Sequence, residues 1–370
     1  MILSGGGSGG HIYPALAVAQ ALRQGEAEEA PLELRYVGAR GLLDESIVGR
    51  SGLPFTGVRA GPLRVGSPLR VLRSIVDLVI GTVQAWRLLG RFRPDVVFAT
   101  GGYASVPVGI AARLRRRPLL VYLPDVRAGW AVRLLSRLAT RIATTTEHAP
   151  GDVAADATVV GYPVREAFWS ADRNEARERL DLPLEAKVLL VSGASQGARR
   201  LNTAVAQQLD GLLELGHVLH LTGRVDEAEM LELRDTLPDA KRERYHVFGF
   251  LEEMAGAMVA ADLAVLRSGA SVLGELPAAG LPAVLVPGVY EGWDQRPNAR
   301  YLEERGAAVV LENDQLEKLT DVVRELFSDD SRRRAMGAAA LRLAQPEAAQ
   351  RIAQVLREVA ATGSAQGVAT

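Results

Sequence analysis

Apolar residues fall along this chain in two alternating textures. Short runs rich in Val, Ile and Leu predict strands at Leu34–Val37, Asp95–Ala99, Leu119–Leu123 and Arg141–Thr145 in the first half. In the second half they predict strands at Lys187–Ser192, Val218–Thr222, Tyr245–Phe248, Leu263–Leu266, Ala283–Val286 and Ala307–Leu311. Longer segments with helical spacing lie between them. Most strand runs are continuously apolar rather than alternating, as expected for strands covered on both faces. Such alternation of strand and helix is the signature of a parallel α/β architecture.

Both halves open their main unit in a related way, with a strand, a glycine-rich loop and a helix. The first loop is Gly5-Gly6-Gly7-Ser8-Gly9-Gly10-His11, with Pro14 placed to start the helix. The second is Ser192-Gly193-Ala194-Ser195-Gln196-Gly197-Ala198-Arg199. Two Rossmann-like domains in tandem are expected. The boundary falls near Gly161–Arg165, just after the strand-like Thr158–Val160, giving domains at 1–162 and 163–344. From about Gln345 the tail reads as one amphipathic helix, expected to pack back on the first domain, with a disordered end. Only Met1, Ile2 and Leu3 precede Ser4, whereas a strand ordinarily needs about five residues. The first strand is therefore very short, or the true start lies upstream.

Composition narrows the classes. With 370 residues, two cores are the default. Lys and Arg number 43 against 44 Asp and Glu, a balance that argues against a general nucleic-acid binder. The absence of cysteine excludes disulfides, thiolate metal sites and cysteine nucleophiles. No signal peptide is recognised, and the richest apolar stretch, Ile75–Leu89, is broken by Asp77, Gln84 and Arg87. These features describe a soluble cytosolic protein.

The glycine loops carry the candidate chemistry. Glycines after a strand let backbone N–H groups approach an anion, and the following helix adds partial positive charge. Gly5-x-Gly7-x-x-Gly10 formally matches the dinucleotide fingerprint. The acidic residues that should follow at a strand end are Glu26, Glu28 and Glu29, in an expected loop, so a nicotinamide cofactor is disfavoured. His11 follows Gly10 directly; it is either a general base at a cleft mouth or a loop histidine that fixes the turn. Gly101-Gly102-Tyr103-Ala104-Ser105 follows the strand ending at Ala99, on the same carboxyl edge of the sheet. In the second half, Ser195-Gln196-Gly197 resembles a diphosphate-cradling turn. Arg267–Gly269 sits at a strand end, Glu275 a few residues into the next helix is suited to a ribose diol, and Asp294-Gln295 is suited to sugar hydroxyls. Any one of these fits capping or packing, but four on consecutive strand ends do not.

Taken together, these motifs resemble the MurG family, the undecaprenyl-linked N-acetylglucosaminyltransferases of peptidoglycan synthesis. The resemblance runs over nearly the whole chain through Gly6–His11, Gly101-Gly102-Tyr103, Ser195–Arg199, Arg267–Ala270, Glu275 and Gly280-Leu281-Pro282. It implies a GT-B fold, two Rossmann-like domains facing across a cleft. It also implies a UDP-N-acetylglucosamine donor on the second domain. Ser195 and Gln196 would meet the diphosphate and Arg165 the nucleotide. Leu251 would offer its backbone to uracil and Glu275 would bind ribose, with Ala270, Asp294 and Gln295 at the sugar. The lipid acceptor's pyrophosphate would lie on Gly6, Gly7, Ser8, Gly9 and Gly10 and on Gly101, Gly102, Tyr103 and Ser105. The family's proposed base matches His11. The chain departs from the family at Tyr122-Leu123-Pro124-Asp125, where a His-Glu-Gln-Asn run is usual, and at Asp294, where Gln is usual.

The mechanism implied is an inverting displacement with His11 or Asp125 accepting the proton. No Asp-x-Asp motif offers a metal cage, so a divalent metal acts at most indirectly. Leu63–Arg91 mixes apolar residues with Arg64, Arg70, Arg73, Arg87 and Arg91. Its pattern fits a core helix with solvated arginines. A lipid-linked acceptor turns it instead into a contact with the anionic inner face of the cell membrane, and the protein into a peripheral one. Three rivals are a related transferase with another lipid acceptor, a UDP-sugar epimerase, and a non-catalytic nucleotide-sugar-binding scaffold.

Overall fold

The computed structural model describes residues 1–24, 32–41, 43–61, 68–147, 153, 157–193, 198–290 and 293–367. The chain divides into two compact units, Met1–Arg165 with Pro346–Thr370, and Glu166–Gln345.

The first unit runs β1 (Ile2–Ser4), α1 (Gly9–Gln24), β2 (Arg35–Ala39), α2 (Leu43–Arg50), β3 (Phe55–Val58), α3 (Pro68–Phe92), β4 (Val97–Ala99), α4 (Ser105–Leu114), β5 (Leu119–Leu123), α5 (Trp130–Ser136), β6 (Arg141–Thr144) and β7 (Thr158–Val159). Its sheet has the order β3-β2-β1-β4-β5-β6-β7, parallel throughout. The second unit runs α6 (Ala167–Ser170), α7 (Arg173–Arg179), β8 (Val188–Ser192), α8 (Arg199–Gln207), α9 (Leu209–Leu215), β9 (His217–Leu221), α10 (Glu227–Asp235), α11 (Asp239–Arg242), β10 (Tyr245–Phe248), α12 (Met254–Ala260), β11 (Leu263–Leu266), α13 (Val272–Ala279), β12 (Ala283–Leu285), β13 (Val289–Tyr290), β14 (Trp293–Asp294), α14 (Arg296–Glu303), β15 (Ala308–Val310), α15 (Leu319–Ser328) and α16 (Asp330–Arg342). Its parallel sheet has the order β10-β9-β8-β11-β12-β15, and β13 and β14 form a small antiparallel hairpin. The closing helix α17 (Ala348–Gly367) packs on α1 of the first unit, where Ile352, Leu356 and Val359 join its core.

Central strands such as β5 and β8 are buried along their full length, because helices cover both faces. β1 is only three residues long, yet it lies between β2 and β4 and is fully buried. Neighbouring strands on both sides supply the hydrogen bonds that a short strand could not sustain alone. Gly280-Leu281-Pro282 ends α13 and returns the chain to β12.

α3 is unusual. Its buried side carries Ala85 and Leu89, but Leu72, Ile75, Val76, Val79, Val83 and Trp86 form a stripe at helical spacing that stays exposed. Arg115 stacks its guanidinium 3.6 Å from the Trp86 ring centroid and donates from Nε to the Trp86 carbonyl at 3.1 Å. The start of the proposed membrane segment, residues 63–67, lies outside the described residues. Among the described residues no helix is long and apolar enough to cross a membrane.

Candidate active site

In each sheet the strand order reverses beside the first strand, between β1 and β4 and between β8 and β11. Loops leaving the carboxyl ends of such strand pairs diverge over a crevice, which is where open α/β sheets take ligands. In the first unit Ser4 pairs with Ala99, so Gly5 and Thr100 leave the sheet side by side. The two glycine loops then touch backbone to backbone. Gly102 has φ +75°, and a Cβ there would stand 2.0 Å from the Gly6 carbonyl oxygen. Only glycine tolerates both conditions.

The helix after the first loop does not start at Pro14. It starts at Gly9, and Pro14 lies inside it. The Ser8 carbonyl accepts the N–H groups of His11 and Ile12 at 3.1 and 3.3 Å and opens the first turn. Pro14 has no N–H to give the Gly10 carbonyl, and the Tyr162 hydroxyl donates there instead at 3.3 Å. His11 is therefore a first-turn helical residue rather than a loop residue. Its Nδ1 lies 2.8 Å from the Thr100 carbonyl oxygen. A carbonyl only accepts, so Nδ1 carries the proton and Nε2 keeps its lone pair. Thr100 returns a bond from Oγ1 to the His11 carbonyl at 2.5 Å.

The remaining first-unit candidates divide. Gly9 and Gly10 open α1 with N–H groups that have no acceptor within the helix. Tyr103 packs its ring on Gly7. Ser105 is fully buried, and its hydroxyl donates to the Gly102 carbonyl at 2.9 Å, so its proton closes the turn rather than meeting a phosphate. Asp125 sits half-buried in the bend after β5. Tyr122 points into the core, with its hydroxyl 2.6 Å from Thr145 Oγ1 and donating to the Gly161 carbonyl at 3.0 Å. Burial pushes its phenol well above the ordinary range. The Arg165 guanidinium stacks 4.4 Å from the Tyr13 ring centroid, two residues along α1 from His11.

In the second unit Ser192 pairs with Leu266, and the Arg267 N–H donates to the Ser192 carbonyl at 3.2 Å. Ser195 and Gln196 lie outside the described residues. Arg267 turns inward, donating to the Val286 carbonyl at 3.2 Å and to Asn313 Oδ1 at 2.6 Å, so it ties the end of β12 to the loop after β15. Ser268 Oγ donates to the Gln295 carbonyl at 3.1 Å, and Asn298 Nδ2 donates to the Ser268 carbonyl at 3.0 Å. These bonds bring Gln295 to the strand end that holds Gly269 and Ala270. Gln295 Oε1 accepts the Gly288 N–H at 2.8 Å, and its Nε2 lies beside Gly269. Glu275 is the fourth residue of α13, largely buried, and Leu251 is half-buried just beyond β10. Asp294 is placed differently from the expectation. Its Oδ1 accepts the Arg296 N–H at 3.0 Å, and both oxygens pair with the Arg296 guanidinium at 2.8–3.1 Å. It caps α14, because a carboxylate next to a helix start finds N–H donors and an arginine closer than any ligand.

Three features escaped the sequence. Asp44 is fully buried beneath the first glycine loop, accepting the Gly7 N–H at 3.0 Å and the Ala39 N–H at 2.9 Å. Glu227 accepts the Gly249 N–H at 2.9 Å and so anchors the turn that leads to Leu251. A relay that runs from the exposed Arg199 to buried side chains also fixes the start of α8. Arg199 Nη1 reaches Asp226 Oδ1 at 2.7 Å, and Asn202 Nδ2 donates to Asp226 Oδ2 at 2.8 Å and to the Thr222 carbonyl at 2.7 Å. Asn202 Oδ1 must then accept from His220 Nε2 at 3.1 Å, which leaves His220 Nδ1 to accept from the Tyr245 hydroxyl at 2.8 Å. Burial lowers the His220 pKa to about 3, so the imidazole is neutral. Charged residues flanking predicted strands were the available signal, but nothing local marks which of them turn inward.

The glycosyltransferase family 28 N-terminal domain matches residues 1–144, and the family 28 C-terminal domain matches residues 188–353. A UDP-N-acetylglucosamine--N-acetylmuramyl-(pentapeptide) pyrophosphoryl-undecaprenol N-acetylglucosamine transferase of Roseiflexus sp. (strain RS-1) is 39% identical, over 96% of this chain and 93% of that protein. The chain belongs to the MurG family. A like-named relative from Halorhodospira halophila is 40% identical over 97% of this chain and 98% of its own. Among solved structures, MurG of Acinetobacter baumannii superposes with a TM-score of 0.71 at 27% identity, covering 96% of this chain and 98% of that one. The MurG family's GT-B architecture of two Rossmann-like α/β domains is thus the fold of this chain. UDP-GlcNAc 2-epimerase of Neisseria meningitidis, at 12% identity and a TM-score of 0.70, shares the fold alone.

Proposed function

We propose that this MurG-family chain transfers N-acetylglucosamine, with inversion, from UDP-N-acetylglucosamine to undecaprenyl-pyrophosphoryl-N-acetylmuramoyl-pentapeptide. The donor meets Ser195 and Gln196 at the diphosphate, Arg165 and Leu251 at the nucleotide, Glu275 at the ribose, and Ala270 and Gln295 at the sugar. The first unit takes the acceptor pyrophosphate on the N–H groups that open α1 and on the Gly101–Tyr103 turn, where backbone donors and the helix dipole favour an anion.

The hydrogen bond from His11 Nδ1 to Thr100 carries the catalytic part of this reading. It leaves Nε2 as the basic nitrogen in the first turn of the acceptor loop. As the acceptor oxygen bonds to the anomeric carbon, its proton passes to Nε2 and the bond from that carbon to the diphosphate oxygen breaks. UDP leaves on the opposite face. The imidazolium so formed gains from its Nδ1–H bond to Thr100, a charge-assisted bond of about twice the neutral strength. Asp125 is the second candidate for the proton.

The exposed stripe of α3, with Arg73, Arg87 and Arg91 also exposed, supports docking to the anionic cytoplasmic face of the membrane, where the acceptor's lipid resides. The test is transfer of labelled N-acetylglucosamine to a short-prenyl acceptor, with UDP release followed with and without it. Acceptor-dependent release and a labelled disaccharide support the assignment. Release without acceptor points to hydrolysis or epimerisation. His11→Ala should lower kcat about 100- to 10,000-fold while UDP affinity stays; equal loss of both rejects the base.

A further inference from the structure

We propose that Asp44 is a positioning residue that holds the first glycine loop in the shape that receives the acceptor's pyrophosphate. The pyrophosphate rests on the reading above, but the placement of Asp44 does not. The side chain leaves the first turn of α2 and is fully buried. Each of its oxygens receives one backbone N–H, from Gly7 at 3.0 Å and from Ala39 at 2.9 Å, which is the pattern a carboxylate takes. The fit is tight, since a Cβ on Gly6 would stand 2.1 Å from Asp44 Oδ2.

The Gly7 N–H is turned inward and occupied, so the anion-binding donors of this loop are those of Ser8, Gly9 and Gly10 at the start of α1. Burial raises the pKa of Asp44, and the N–H groups of Ala39 and Gly7 oppose that rise by favouring its carboxylate. The titratable groups that feel this charge are His11 of α1, Tyr36 of β2 and Tyr103 of the loop after β4. Burial and the Asp44 charge both raise the two phenols, which keeps them neutral.

The experiment compares wild type with Asp44→Asn, which keeps shape and removes charge. Hydrogen exchange of the Gly7 amide is followed by NMR, alongside transfer kinetics. Loss of the charge should speed exchange of the Gly7 amide about ten- to a hundredfold, the worth of a hydrogen bond to a charged acceptor. It should also raise the acceptor KM and lower kcat about ten- to a hundredfold, the worth of a hydrogen bond to a charged group, while the donor KM stays. Where the Asn variant does not fold, Asp44→Ser, which removes charge without setting an amide N–H₂ against a backbone N–H, gives the same comparison. Unchanged exchange of the Gly7 amide, or an unchanged acceptor KM, overturns the proposal. If wild type transfers nothing, the functional reading falls, and the Gly7 exchange rate still decides the role of Asp44.

Discussion

Gly102→Ala isolates the contact between the two glycine loops of the first unit. Two costs add. Alanine at φ +75° pays about 1–2 kcal/mol for a left-handed conformation. The new Cβ would also lie 2.0 Å from the Gly6 carbonyl oxygen, against an ordinary carbon–oxygen approach of about 3.3 Å. One loop must therefore retreat by roughly 1 Å, a displacement that costs a reacting geometry about a hundredfold. The expected loss is about 2–4 kcal/mol of stability, with kcat/KM for the acceptor falling about a hundredfold and the donor KM unchanged. Urea unfolding and transfer kinetics read these together. Gly52→Ala is the control, since Gly52 has φ +68° with nothing within 4 Å of its missing Cβ. It should lose only the conformational cost and leave acceptor kinetics alone. Wild-type acceptor kinetics in Gly102→Ala would refute the contact between loops as a determinant of the site.

Further outcomes follow from other parts of the molecule. Burial depresses His220 to about 3 and His246 to about 4, so between pH 6.5 and about 4 the unfolded chain binds protons that the native state refuses. Stability should fall as pH drops through that window, at up to about 1.4 kcal/mol per pH unit per histidine, and urea midpoints across pH should lose part of that slope in His220→Asn. Glu227→Ala frees the Gly249 N–H and should raise the UDP dissociation constant about tenfold by calorimetry, with little change in kcat at saturating donor. An unchanged dissociation constant would remove Glu227 from the nucleotide site. Ile75→Asp with Val79→Asp should cut sedimentation with anionic liposomes at least about tenfold. The thermal midpoint should hardly change, since both side chains are already exposed. Retained sedimentation would move the membrane contact elsewhere.

The strands were legible where an apolar run was continuous. Leu119–Leu123 and Leu263–Leu266 form as the run alone predicts, because a strand covered on both faces needs apolar residues at every position. β3 was not legible. It is an edge strand whose Phe55-Thr56-Gly57-Val58 is only partly buried for most of its length, so its composition carries little signal. The hairpin of β13 and β14 has two residues per strand, too few for any periodicity. The proline at position 14 misled by one turn. Its usual place is the first helical position, and here Tyr162, far along the chain, supplies the hydrogen bond that permits an interior one.

By itself the sequence determined a parallel α/β chain in two halves, with glycine loops at strand ends and a family signature spread across them. Those properties depend on residues close together in the chain, where composition and spacing speak directly. Only the tertiary structure decided what individual side chains do. It gave His11 its tautomer through Thr100, turned Asp44 under Gly7, and spent Asp294 on Arg296 while bringing Gln295 beside Gly269. It also left the apolar stripe of α3 exposed where the pattern alone suited a core helix. Hydrogen-bond partners and burial are set through space, between residues that the fold brings together from distant parts of the chain, and such pairings leave no local mark.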